Sequence, residues 1–266
     1  MALIASVLSA FVLPGFVPFA TGPHGGTILS GTFPGSDRAG FVYLPPGYSS
    51  DHRYPVVYLL HGMPGSPSEY LVGTDLPTFA DDAISDGRLR PFIAVMPAAG
   101  PTGKYNGEWA GPWEQEIVDD VVPFVDTNLS TDPSRSGRVL AGLSAGGFGA
   151  VYIALRNPTL FGAVESWSGY FHPLHDGPFK HASKAELASN DPRVLLDQES
   201  GLLARLGTRF FLSSGPYHSH WFRPAETRSF ASVLAQLGLP VQTLFYDAPR
   251  GEWRAQLDAG LSWAFG

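Results

Sequence analysis

Hydrophobic and polar positions along this chain fall into two alternating kinds of segment. Residues 27–33 (TILSGTF) and 40–44 (GFVYL) alternate in the manner of paired strands with one face covered. The runs 54–62 (YPVVYLLHG) and 91–100 (PFIAVMPAAG) are apolar nearly throughout, as expected of strands buried on both faces. Residues 161–169 (FGAVESWSG), 207–215 (GTRFFLSSG) and 240–247 (PVQTLFYD) predict three more strands. Between them, 75–87, 113–129, 225–238 and 252–265 carry apolar residues at helical spacing, and the acids of 113–129 cluster at its start, where the helix dipole favours them. The segment 137–158 (GRVLAGLSAGGFGAVYIALRNP, from Gly137) reads as strand, sharp turn and helix. Strands alternating with helices predict an α/β fold in three layers, with a doubly wound, mostly parallel sheet.

Composition narrows the classes of function. The chain has 266 residues and a net charge of −7, so no basic stripe exists to neutralise a nucleic-acid backbone. It has no cysteine, which excludes disulfides, thiol catalysis and Cys-ligated zinc. Residues 2–20 carry no charge, and the first acidic or basic residue is Asp37. Two readings of residues 1–26 stand side by side: an apolar arm packed on a domain spanning 27–266, or the remnant of a membrane anchor or export signal. The second favours secretion or membrane association over the cytoplasm. Pro14 and Pro18 argue against an unkinked spanning helix.

The chemistry concentrates at residues 142–147, GLSAGG. Gly-X-Ser-X-Gly between a buried strand and a helix is the arrangement that holds a nucleophilic serine in a tight turn, here Ser144. Backbone N–H groups at the start of the following helix then face a developing oxyanion, Ala145 first among them. The second donor is expected from the loop after an earlier core strand, LLHGMPGS (59–66), through the N–H of Met63. His61 in that loop reads as structural, because chain order in such folds puts the base after the serine.

The stretches VVYLLHGMPG, PWEQEIVDDVVPFVDTNL and GRVLAGLSAGGFGAVYIALRNPTLFGAVESWSG resemble the esterase family of α/β-hydrolases that includes esterase D, feruloyl and enterochelin esterases and the antigen 85 mycolyltransferases. The resemblance covers residues 27–265 and implies ester hydrolysis or acyl transfer through an acyl-serine, with no cofactor. It also implies an acid after the strand at 207–215 and a histidine before the final helix. Neither is in its slot: 213–221 reads SSGPYHSHW without a carboxylate, and in 247–257 (DAPRGEWRAQL) Gly251 stands where the histidine belongs, two residues before Trp253.

A swapped arrangement restores a triad, with His218 or His220 as base and Asp247 or Glu252 as the orienting acid, since triads are defined by geometry and role. A second arrangement draws His172 or His175, with Asp176, from the loop GYFHPLHDG (169–177). No histidine pair has HExxH-like spacing, and His218-Ser219-His220 alone does not make a metal site. Trp109, Trp113, Tyr170, Tyr217 and Trp221 are the expected walls of an aromatic cleft for a small-molecule or glycan-linked ester. The competing expectation is a catalytically impaired member of the fold that binds a carbohydrate or protein ligand. An antigen 85-type acyltransferase would use the same residues.

Overall fold

A computed structural model of the chain describes residues 13–100, 108–215, 224–246 and 252–266. Nine strands form one sheet in the order β1 (Phe16–Thr21), β2 (Thr27–Thr32), β3 (Ala39–Leu44), β5 (Ile93–Met96), β4 (Val56–Leu60), β6 (Arg138–Leu143), β7 (Ala163–Trp167), β8 (Arg209–Ser214) and β9 (Val241–Phe245). The first three strands pair antiparallel, β3 also runs antiparallel to β5, and every pairing from β5 to β9 is parallel. Short turns join β1 to β2 and β2 to β3. The parallel strands need helical crossovers, and the sequence supplies a helix after each.

Strand β4 shows why the core has two halves. Val56, Tyr58 and Leu60 point to one face and pack with α4 (Val122–Asn128), α5 (Ala145–Arg156), α7 (Pro192–Leu206) and α8 (Pro224–Gln236). Val57 and Leu59 point to the other face, toward α1 (Glu69–Val72), α2 (Leu76–Ser85) and α9 (Glu252–Phe265). A strand covered on both faces has no polar position to spare, which explains its unbroken apolar run.

The structure departs from the sequence reading in three places. Phe16–Thr21, read as part of an apolar arm, is the edge strand β1, with Pro18 beside a break in its register with β2. The helix expected over 113–129 is interrupted: α3 (Pro112–Gln115) passes into a π-helical turn at Glu116–Val121 and then α4. Pro123 has no N–H to donate and its ring crowds the preceding turn, so a wider turn there relieves it. Between β7 and β8, where periodicity is weak, lie α6 (Lys184–Ser189) and α7, opened by Ser183 and Asp191 caps. Among the described residues, no helix is long and apolar enough to cross a membrane.

Candidate active site

Strand β6 ends at Leu143, and α5 begins at Ala145. Ser144 between them sits at φ 56°, ψ −115°, a conformation that costs a residue with a side chain of order 1–3 kcal/mol. Its neighbours enforce the turn. A Cβ on Gly142 would overlap the carbonyl of Gly146, and one on Gly146 would overlap the carbonyl of Leu60. Ser144 itself donates its N–H to the Trp167 carbonyl at 2.9 Å and accepts from Phe148 N at 3.1 Å. The side chain is partly exposed at the carboxyl edge of the sheet, while the rest of the turn is buried.

The loop after β4 is fixed with equal care. The Tyr70 hydroxyl donates to Leu60 O at 2.7 Å, and the Trp109 indole N–H donates to His61 O at 2.9 Å. The Ala99 N–H donates to His61 Nε2 at 3.1 Å, which leaves the ring proton on Nδ1, 2.8 Å from Gly62 O. Both nitrogens of His61 are therefore engaged by backbone. Burial lowers its pKa to about 4, so the ring is neutral near pH 7. Gly62 then brings the chain against the serine: a Cβ built there would lie 3.5 Å from Ser144 Cβ. Met63 follows directly, half-buried against the core.

The aromatic residues divide. Trp109 and Tyr170 differ from the expectation of a cleft wall, being 1% and 2% exposed. Trp109 packs edge-on to His61, and Tyr170 stacks on Phe148 and bonds to Glu108. Glu108, also buried, accepts from Leu174 N at 2.7 Å, and desolvation pushes its pKa up to about 8. Trp113 is half-buried and lines a cleft of about 370 Å³ with Ser36, Asp37, Gln115, Glu116 and Asp120.

Of the candidate bases, His172 is held by a carboxylate 54 residues away in the chain. Its Nδ1 lies 2.8 Å from Glu226 Oε1, which also accepts from Phe171 N at 3.0 Å and faces Arg193 at 3.6 Å. The hydrogen bond to Glu226 raises the His172 pKa. In Glu226, the bonds from His172 and Phe171 together outweigh the cost of burial and lower its pKa. His175 is exposed, and Asp176 caps a short turn through Gly177 N. His218, His220, Tyr217, Trp221 and Asp247 lie outside the described residues, and Glu252 is described only as the first backbone position of α9. Among the described residues, no group of three His, Asp or Glu side chains could hold a metal ion.

Comparison with known proteins gives a consistent picture. The family model described as "Putative esterase" matches residues 30–263. An endo-1,4-beta-xylanase/feruloyl esterase of Xylanibacter ruminicola is 35% identical over 133 residues, 46% of this chain and 18% of its own length. An esterase of Mycobacterium tuberculosis is 36% identical over 135 residues, 48% of this chain and 28% of its own. The chain thus spans under a third of either curated relative. Among solved structures, a ferulic acid esterase superposes with TM-score 0.75 at 22% identity, covering 90% of this chain and 98% of that one. An S-formylglutathione hydrolase from Agrobacterium tumefaciens superposes with TM-score 0.70 at 18% identity, over 94% and 98%. These likenesses establish the α/β-hydrolase fold.

Proposed function

The chain belongs to the esterase family of α/β-hydrolases, and from that premise we propose that it is a serine carboxylesterase acting through an acyl-Ser144 intermediate. The observation that carries this reading is the turn itself. Ser144 is kept at a costly backbone conformation by two glycine positions that admit no side chain, an arrangement with no evident use in a merely structural turn.

In this reading, Ser144 Oγ attacks the ester carbonyl carbon. The resulting oxyanion is received by the N–H groups of Ala145, at the start of α5, and Met63, after Gly62. Such donors act in a site already fixed by hydrogen bonds, and losing one costs on the order of 10²–10³ in rate. The alcohol leaves, and water then hydrolyses the acyl-serine. The relatives named feruloyl esterase support an aromatic acyl ester of a small or glycan-linked alcohol as the substrate class. An isolated serine hydroxyl needs a base, and with Gly251 in the family's histidine slot that base is a nonstandard one.

One sequence observation favours a second reading, binding without turnover: Gly251 occupies the slot in which the family carries its histidine. Hydrolysis of short p-nitrophenyl esters by wild type and Ser144→Ala separates the two. Turnover abolished in the variant supports the esterase. Equal near-background rates support the binding protein.

A further inference from the structure

Gly62 leaves a gap beside the serine, and the gap has a second occupant. The side-chain atoms nearest to the place a Gly62 Cβ would fill are Ser144 Cβ at 3.5 Å and Glu69 Oε2 at 3.8 Å. Glu69 is the first residue of α1 and is half-buried. Its Oε2 accepts a long hydrogen bond from Gly62 N at 3.4 Å, and its carboxylate also accepts from the backbone of Ser66. A side chain on Gly65 would meet Oε1 at 2.5 Å, so this glycine too makes room for the carboxylate.

From this geometry we infer that Glu69 is the general base for Ser144, reaching Oγ across Gly62 through one water. The inference rests on the acyl-serine reading and replaces the displaced histidine with a carboxylate. It also connects two departures in the sequence. The end of α1 packs beneath the start of α9: a Cβ on Gly73 would lie 3.6 Å from Trp253 Cε3, and Arg254 donates to Thr74 O at 2.8 Å. Trp253 follows Gly251 by two residues, so the empty histidine slot lies next in sequence to the segment packed against the helix that carries Glu69.

The other described titratable groups around the turn are committed elsewhere. His61 has both nitrogens on backbone, and Tyr70 gives its hydroxyl to Leu60. Glu165 accepts from Trp167 Nε1, and His172 is paired with Glu226. Desolvation raises the Glu69 pKa, which makes it a stronger base than an ordinary carboxylate.

The proton balance works without a histidine. As the bond from Oγ to the carbonyl carbon forms, Glu69 takes the hydroxyl proton. Glu69 is then neutral while the oxyanion exists, so the two do not repel one another across the loop. The proton passes to the departing alkoxide as its bond to carbon breaks, leaving acyl-Ser144 and a carboxylate. Water, deprotonated by the same carboxylate, attacks the acyl carbon and returns Ser144 with its hydrogen.

The test uses Glu69→Gln, Glu69→Ala, Ser144→Ala, His218→Ala and His220→Ala in the full chain, with p-nitrophenyl acetate as substrate and melting temperature as a check on folding. Glutamine keeps the acceptor for Gly62 and Ser66 but takes up no proton. The expected result is a loss in kcat/KM of about a hundredfold or more for Glu69→Gln, as for removal of a general base. Added formate should partly restore Glu69→Ala, which a purely structural role would not allow. Glu69→Gln within about threefold of wild type overturns the assignment while Ser144→Ala still abolishes turnover. So does a loss in Glu69→Ala that formate leaves untouched, or a loss in His218→Ala or His220→Ala as deep as in Ser144→Ala. Ser144→Ala equal to wild type overturns the acyl-serine reading, and this assignment with it.

Discussion

The indole N–H of Trp109 donates to the carbonyl oxygen of His61 at 2.9 Å, from a ring that is 1% exposed. That bond ties the segment before α3 to the loop that touches Ser144, and it explains a tryptophan with no open face. Trp109→Phe keeps most of the packing and strands a buried carbonyl. It should cost about 1–3 kcal/mol in urea unfolding, with a lower kcat because the loop is less well fixed. An unchanged unfolding midpoint would mean that the carbonyl finds another donor.

Strain at the nucleophile predicts an inverse relation between stability and activity. Ser144→Gly removes the side chain that makes φ 56° costly, so it should melt higher than wild type while losing turnover. The expected gain is of order 1 kcal/mol. Gly146→Ala should do the opposite, since its methyl group would overlap the Leu60 carbonyl. Calorimetry on the two variants checks both signs.

How much of this was legible in the sequence depends on how local the cause is. The elbow was legible because its constraints act within a few residues: two glycines and a serine between a buried strand and a helix. The parallel strands were legible because burial on both faces leaves an unbroken apolar run, as in Val56–Leu60. Edge strand β1 was not, since its outward residues Val17 and Phe19 are apolar yet 64% and 61% exposed, which blurs the alternation. The His172–Glu226 pair was not legible either: 54 residues separate the partners, and only the fold brings them together. Trp109 and Trp113 look alike in sequence, but one seals the core and the other lines a cleft.

Glu165 gives stability a pH dependence. It is fully buried on β7, and desolvation raises its pKa to about 8, against 4.5 for an ordinary glutamate. The folded state thus keeps a proton that the unfolded chain releases from about pH 4.5 upward. The contribution of this group is full below that pH and is lost as pH rises through about 8. Urea unfolding from pH 5 to 8.5 should show this decline, and Glu165→Gln should flatten it. A variant with the same slope as wild type would assign the decline to other groups.

The His172–Glu226 pair acts in a narrower window. The His172 pKa is raised, so its contribution is present below the ordinary histidine value and lost as pH rises through the folded one. The Glu226 pKa is lowered, so its contribution is lost as pH falls through the folded carboxylate value. Their coupling should therefore be strongest in mildly acidic solution. A double-mutant cycle with His172→Ala and Glu226→Gln at pH 5.5 and 8.5 should give the larger coupling at 5.5. Equal values would show that the pair contributes through packing rather than charge.

Trp113 tests where the substrate extends. If its cleft receives the alcohol or glycan part of the ester, Trp113→Ala should raise KM several-fold for a glycan-linked ester and leave p-nitrophenyl acetate unaffected. Equal effects on both substrates would place its influence in the fold.

A nucleophilic hydroxyl at Ser144 is open to covalent labelling. An alkyl fluorophosphonate, which modifies activated serine hydroxyls, would be incubated with the full chain, followed by intact mass and peptide mapping. One adduct per chain is expected on the peptide containing Ser144, and none in Ser144→Ala. An unlabelled wild-type chain, or an adduct that persists in Ser144→Ala, would contradict a nucleophilic Ser144.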